Sequence, residues 1–314
     1  MAINTSLIII TRHRAALLAK ALGSLPCQTR PLDEIVIVDN GPSEATAETV
    51  RAFAGSLPVR YVAEPRAGYG AARNCGLRNA RGRVLMFIDD DCVADPDWAR
   101  ILLERLESGA AEIVGGSRVC TQPGLAARLD YLSTDAPVLH PARPGGPAAH
   151  LSTSNLAVPA EVARRVGPFD ETLAMCEDRD FCARARALGF RILYEPRARV
   201  AHRPPLERFG QYLARMRQYG FGTAQYFLRH PGEGLAWVFP RSAVWRALLL
   251  PLLALAGTGY LVMKNLRHRS DALPLSPLLF VGQLFWHWGG YQACRVSSLQ
   301  PPAHSPQPNK EPPC

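Results

Sequence analysis

The run Val84-Leu85-Met86-Phe87-Ile88-Asp89-Asp90-Asp91 constrains this chain more than any other, because five apolar residues lead directly into three carboxylates. The apolar half reads as a strand buried on both faces, and the acids at its carboxyl end would repel one another without a cation nearby. The segment continues into Asp95-Pro96-Asp97-Trp98, which reads as a helix start with Asp95 as N-cap and Pro96 in the first helical position. Capping needs Asp95 alone. Three further acids sit where open α/β sheets bind ligands, and hard oxygen donors suit Mg2+ or Mn2+ held against phosphates. The plainer alternative is an acidic turn.

Upstream, strand-like runs at Leu7–Ile10, Glu34–Val38 and Val59–Val62 alternate with helical patterns over Arg14–Leu25, Glu44–Phe53 and Gly70–Ala80. Continuous apolar strands separated by helices predict βαβ units and a mostly parallel sheet covered on both faces. In such a sheet four patches converge: Thr11 after the first strand, Asp39 after the second, Arg66–Arg73 after the third and Asp89–Asp91 after the fourth. Together they make a nucleotide cleft, with a carboxylate for a base N–H, arginine for phosphate and acids for metal. Taken singly, Asp39-Asn40-Gly41-Pro42 is a turn sequence and Arg73 a solvated helix residue. Gly68-Tyr69-Gly70-Ala71-Ala72-Arg73 imitates a dinucleotide fingerprint, but Arg73 replaces its third glycine and it follows the third strand, which argues against a dehydrogenase.

Further along, four prolines and two glycines between Asp135 and Ala149 predict a loop. A helix is expected over Phe181–Leu188, with Asp180 and Arg184 placed to pair and Gly189 as its C-terminal cap. Glu177 and Asp178 at its start either cap the helix or supply a general base.

Composition bounds the setting. The chain has 314 residues, 47% hydrophobic and 20% charged, with a formal charge of +9. The only apolar run near the N-terminus, Leu7–Ile10, is too short for a secretory signal core, so the catalytic part is expected in the cytosol. Eight scattered cysteines without a CxxC pair read as free thiols. Residues 181–230 hold ten arginines and two acids, a local +8 that attracts phosphates or an anionic membrane face. No nucleic-acid-binding motif accompanies it, so nucleic acid is not expected as a partner. Residues 247–263 and 272–294 contain no Asp, Glu, Lys or Arg and flank the basic link Lys264–Arg269. They fit a membrane hairpin by length, but Pro251, Pro274, Pro277, Gln283 and His287 interrupt them, and insertion along the interface fits equally. The last 14 residues, with six prolines, are expected to be disordered.

Five motifs in order resemble family-2 glycosyltransferases: Thr11-Arg12-His13-Arg14, Val36-Ile37-Val38-Asp39-Asn40-Gly41, Ala71-Ala72-Arg73-Asn74-Cys75-Gly76-Leu77, Phe87-Ile88-Asp89-Asp90-Asp91, and Val166-Gly167-Pro168-Phe169-Asp170-Glu171 followed by Glu177-Asp178. The resemblance covers about residues 4–230. It implies a GT-A type α/β fold with a mostly parallel central sheet, a nucleotide-sugar donor, Mg2+ or Mn2+, and transfer with inversion. It further implies that Thr11 and Asp39 touch the nucleobase side of the donor, that Arg73, Asp89 and Asp90 bind the donor, and that Asp91 with Asp89 holds the metal. Asp178 would be the general base, ahead of Glu177. His202 lies where some relatives place a histidine near the metal, although a structural histidine fits as well.

The region after the base reads Arg215-Met216-Arg217-Gln218-Tyr219-Gly220 and lacks the Q/RxxRW signature of processive synthases, so transfer of a single sugar is expected. The resulting expectation is a catalytic domain over 1–230, an apolar helical membrane-associated region over 231–298 and a tail over 299–314. The enzyme would work at the cytoplasmic face of the membrane on a lipid-linked or cell-surface glycan acceptor. Two alternatives stay open: a metal-dependent phosphohydrolase and a non-catalytic nucleotide-sugar binder.

Overall fold

The four apolar runs of the N-terminal half become parallel strands, β1 (Thr5–Thr11), β2 (Glu34–Asp39), β3 (Val59–Ala63) and β4 (Val84–Asp89), in the spatial order 3-2-1-4. The computed structural model of the protein describes residues 4–135, 146–233, 240–266 and 270–299. Helices α1 (Ala15–Gly23), α2 (Glu44–Phe53) and α3 (Tyr69–Asn79) connect the four strands. The chain continues through β5 (Cys92–Ala94), α4 (Trp98–Glu107), β6 (Ile113–Cys120) and α5 (Leu125–Asp130), which runs into a π-helical turn at Tyr131–Asp135. Next come β7 (Asn155–Pro159), α6 (Ala160–Val166), α7 (Glu177–Ala187), β8 (Ile192–His202), α8 (Phe209–Arg229), α9 (Ala243–Leu266), a 3-10 turn at Ser270–Ala272 and α10 (Ser276–Leu299).

The eight strands form one sheet in the order 3-2-1-4-7-6-8-5. Four of its seven neighbouring pairs are parallel; β7 runs against β4 and β6, and β5 against β8. Alternation along β1 divides the core. Leu7 and Ile9 face Leu18 and Leu22 of α1 and Trp98 and Leu102 of α4, whereas Ile8 packs with Phe87, Val162, Phe169 and Phe181 on the other face. Both faces are buried, as continuous apolar strands require.

Several details depart from the sequence reading. Helix α4 begins at Trp98, with Asp97 in the capping position, and Asp95 is not its N-cap. The reason is that Asp95 still belongs to the sheet edge, its N–H donating to Arg199 O at 3.1 Å, while the Pro96 carbonyl accepts from Thr29 N at 2.9 Å. Helix α7 begins at Glu177, four residues before the expected start, so Glu177 and Asp178 occupy its first turn. Its other end is as expected: Gly189 takes φ +83°, and Phe190 N bonds Ala185 O at 3.0 Å while Gly189 N bonds Arg186 O at 2.9 Å.

The arginine excess of residues 181–230 is largely answered across the fold. Seven of the ten arginines face a carboxylate: Arg184, Arg186, Arg191, Arg197, Arg199, Arg215 and Arg229. That stretch therefore serves the fold more than it presents a basic surface. Seven cysteines are free, and Cys314 lies outside the described residues. The expected loop at 135–149 falls mainly on residues 136–145, which are also outside them, as are residues 300–314 of the expected tail.

Helices α8, α9 and α10 form a third layer around Tyr212, Met216, Ala272 and Leu279, with Leu129 and Leu132 from the α5 segment. Glycines let α8 and α10 approach closely. A Cβ on Gly220 would collide with the carbonyl of Trp286, and one on Gly289 with the carbonyl of Arg217. Gly220→Leu is therefore expected to lower stability by about 1–3 kcal/mol or more through overpacking. In contrast, Gly210→Ala, in the same helix with open space around it, leaves the melting temperature unchanged or slightly raised. Thermal unfolding of the two variants checks this.

Candidate active site

Strand register sets the site. Thr11 of β1 is level with Asp39 of β2, and Ile10 with Asp89 of β4, so three strand ends open on one edge of the sheet. This is also where strand order reverses, with β2 on one side of β1 and β4 on the other, the place where open α/β sheets bind ligands. After Asp89 the chain leaves β4 and joins the far edge as β5, so the acid triplet spans the gap between the two. Because Cys92 of β5 pairs with His202 of β8, the imidazole arrives beside Asp91, Nε2 standing 3.5 Å from Oδ1.

The acids are crowded. The Thr11 hydroxyl donates to Asp90 Oδ2 at 2.7 Å, and the Arg14 guanidinium stands 3.2 Å from Asp90 and 3.5 Å from Asp91. Burial and the Asp91 charge nevertheless push the Asp90 carboxyl up to about 7, against the pull of Arg14. Burial also raises Asp89, opposed by Arg73 and aided by Asp91. Across the cavity, burial lifts Glu177 to about 7, with Arg73 opposing and Asp178 adding to the effect.

Arg73 lies between the two acid groups. Buried with 5% exposure, it pairs with Glu177 and stands 3.5 Å from Asp89. Although burial works against its charge, Glu177, Asp89 and Asp178 raise its pKa above the ordinary value. Its helix is positioned by sequence: Gly68 enters at φ +130°, its N–H bound to Asn40 Oδ1 at 3.0 Å, and Gly76 packs so closely on β1 that a Cβ would strike Ile8. Next to Arg73, Asn74 donates to Phe169 O and accepts from Phe169 N at 2.9 and 2.8 Å, tying α3 to the segment that leads into α7. Cys176, at φ +69°, turns the chain so that α7 starts with Glu177 and Asp178. The Asp178 Oδ1 accepts the Arg179 N–H at 2.7 Å, which orients the carboxylate.

Thr11, Arg73, Asp89, Asp90, Asp91 and Asp178 all line one cavity of about 880 Å3. Asp39 is different. It is fully buried behind the wall, with Oδ2 accepting from Ser43 N and Tyr61 OH at 2.9 and 3.1 Å. Its Oδ1 is buried with no hydrogen-bond partner. Asn40, Tyr69, Arg14 and His150 also line the cavity but carried no assigned role in the sequence reading. Asn40 and Arg14 stand inside quoted motifs; nothing in the sequence marks His150.

The acids satisfy a test for a divalent cation. Ligand atoms of Asp91, Cys92 and His202 lie within 4.8 Å of one another, all three residues buried. Burial and mutual repulsion leave the carboxyls short of compensating charge, and a carboxylate oxygen, a cysteine sulfur and an imidazole nitrogen make a donor set that divalent first-row metals accept.

The model for glycosyl transferase family 2 matches residues 6–145, and that for glycosyl transferase family group 2 matches residues 84–289. With the sheet described above, the fold is GT-A. The chain belongs to the family-2 glycosyltransferases. It is 28% identical over 259 residues to the glycosyltransferase AglE of Haloferax volcanii, covering 80% of each protein. It is 27% identical over 266 residues to the pre-mycofactocin glycosyltransferase of Mycobacterium tuberculosis, covering 82% of this chain and 53% of that one, about half the relative's length. Among solved structures, the mannosyltransferase PcManGT of Pyrobaculum calidifontis, in complex with GDP-Man and Mn2+, matches with TM-score 0.62 at 19% identity over 95% of this chain and 88% of that one. S. aureus TarS 1-349 in complex with UDP-GlcNAc matches with TM-score 0.53 at 16% identity over 94% and 91%. At these identities the solved structures share the fold.

Arg73→Met is expected to destabilise the protein by about 3–5 kcal/mol, because it strands buried carboxylates without their cation. Arg73→Met with Glu177→Gln together should recover part of that loss. Denaturant unfolding of the two single variants and the double variant gives the coupling.

Proposed function

We propose that the protein transfers one sugar, with inversion, from a nucleotide-sugar donor to a hydroxyl of a lipid-linked or surface-glycan acceptor, with Asp178 as general base. The observation that carries this reading is that Asp178 and the Asp89–Asp91 triplet face the same cavity from opposite halves of the fold. In this reading Asp91 and His202, with Asp89, hold a divalent cation, whose charge offsets that of the donor diphosphate. An imidazole ligand favours Mn2+ over Mg2+, which prefers oxygen. The GDP-Man and Mn2+ named with the PcManGT structure agree with such a donor.

The protein's own groups then divide the work. Thr11 and Asp90, hydrogen-bonded together, form the wall against the donor. The buried, unpartnered Oδ1 of Asp39 accepts a base N–H once the wall in front of it yields. Arg73 acts through the two carboxylates it bridges, Asp89 and Glu177. Asp178 takes the proton of the acceptor hydroxyl as that oxygen bonds the anomeric carbon. The bond from that carbon to phosphate breaks on the opposite side, and its electron pair leaves with the nucleoside diphosphate.

The cavity continues to Leu253, Ala256 and Tyr260 of α9 and Trp286 of α10, so the acceptor approaches along the helical layer. Among the described helices α9 is long and apolar enough to cross a membrane, with mean hydropathy 1.7 in its best window and 17% of that window buried. Its outer stripe of Trp245, Leu248, Leu252, Leu255 and Met263 is exposed, while α10 is packed along α8. A helix pair docked on a catalytic domain in this way lies along the interface instead of standing in the bilayer as a hairpin. We place the enzyme at the cytoplasmic face, with residues 1–230 as catalytic domain, 231–298 as attachment region and 299–314 as tail.

Sugar nucleotides incubated with the full chain should be turned over with Mn2+, less well with Mg2+, and not with EDTA. Asp91→Ala abolishes this turnover, and Asp178→Asn lowers kcat by about 100-fold or more while donor binding persists. Binding without turnover under every lipid-supplemented condition would sink the transferase reading, and phosphate release from simple monoesters would favour a hydrolase. Flotation with anionic vesicles tests attachment: Leu248→Ser, Leu252→Ser and Leu255→Ser combined should release a protein that otherwise floats.

A further inference from the structure

One residue beyond Asp178 the cavity wall changes sign. The Arg179 guanidinium carbon lies 4.6 Å from the Tyr226 ring centroid and 4.8 Å from that of Phe227, both on α8. Among the described residues Arg179 pairs with no carboxylate, unlike its neighbours Arg184 and Arg186. One of its N–H groups bonds the Tyr226 hydroxyl, and a guanidinium held by aromatic faces keeps its other donors for a phosphate or carboxylate.

Arg179 and His150 line both the reaction cavity and a side pocket of about 380 Å3, whose wall also includes Arg186, Tyr226 and Glu233. Arg186 is paired with Glu233, and among the described residues no ion pair joins Glu233 to Arg179. Burial, then the charges of Arg179, Arg186 and Arg118, pull the His150 pKa down to about 3. The imidazole is therefore neutral at physiological pH and offers a hydrogen-bonding group without adding to the repulsion. On its helical side the cavity is mainly apolar, with Leu253, Ala256 and Leu261 on α9 and Trp286 on α10, among which Gln283 and His287 of α10 are the polar members.

We propose that Arg179 and His150 form an acceptor subsite for a phosphate ester, whose attached hydrocarbon chain runs along the α9 and α10 wall. The proposal rests on the reading of Asp178 as the base, since the phosphate would sit one residue from it and hold the nucleophilic hydroxyl in reach. Charge-assisted, forked hydrogen bonds from Arg179 supply the recognition, and the apolar wall supplies burial for the chain.

The test is calorimetric titration of the full chain in neutral detergent, without donor, using geranyl phosphate, geraniol, inorganic phosphate and glycerol phosphate as probes. Geranyl phosphate is expected to bind at least about tenfold more tightly than each of the other three, since it alone uses both halves of the site. Arg179→Gln should cost geranyl phosphate about tenfold or more and leave geraniol unchanged, with Arg179→Lys recovering part of the loss. His150→Ala, a second variant should Arg179→Gln fail to fold, is expected to weaken geranyl phosphate alone by a smaller factor. Equal affinity of wild type and Arg179→Gln for geranyl phosphate would overturn the subsite. Glycerol phosphate or inorganic phosphate binding as tightly as geranyl phosphate would overturn the hydrocarbon part and point to a soluble phosphate acceptor. Because no donor is present, absence of sugar transfer leaves this result readable, and a failed titration leaves the donor assay readable.

Discussion

A single buried guanidinium joins the two halves of this enzyme. Arg73 reaches Asp89 at the end of β4 and Glu177 at the start of α7, residues far apart in sequence. Without that cation the two acids would lose their shared partner, and the penalty for an unpaired buried charge is several kcal/mol. The rest of the local structure keeps Arg73 in place. Gly76 brings α3 close to the sheet, Gly68 turns the chain into it at φ +130°, and Asn74 ties it to Phe169, ahead of α7. The placement of Asp89 relative to Glu177 and Asp178 is thus set by one ion-paired residue on a short helix.

The first half of the fold was legible in the sequence because β1, β2 and β4 are apolar runs ending in polar turns, with β3 interrupted only by Arg60. The second half was not. Strand β6 carries Gly115-Gly116, and β8 contains Glu195-Pro196 and three arginine or histidine positions, so neither shows an apolar run. Their register shifts between Gly116 and Ser117, and the irregularity is held by Glu195, which accepts from Arg105 and Arg197 at 2.5 and 2.9 Å. A charge pair between remote segments, such as Arg105 with Glu195, leaves no periodic signal. The same blindness hid β5, and with it the pairing that delivers His202 to Asp91.

Site residues divide in the same way. Residues at strand ends, such as Thr11 and the acid triplet, could be placed from sequence because strand register fixes where a strand end lies. Asp39 sits at the correct end as well, but its burial behind Tyr61 depends on packing that no local pattern encodes. The arginine-rich stretch misled for a related reason: net charge counts residues and ignores the carboxylates that folding brings to them. The feature that matters in that region, Arg179 resting on Tyr226 and Phe227, precedes the stretch and is distinguished by what it lacks.

The glycine contacts between α8 and α10 also have a mechanical consequence. Backbone touching backbone leaves no compliant side chains to absorb a shift, so α8 and α10 behave as one body where Gly220 meets Trp286 and Gly289 meets Arg217. The stretch of cavity wall around Trp286 is therefore held by main chain. Whatever enters along these helices meets a wall whose spacing is set by backbone and not by side chains that yield.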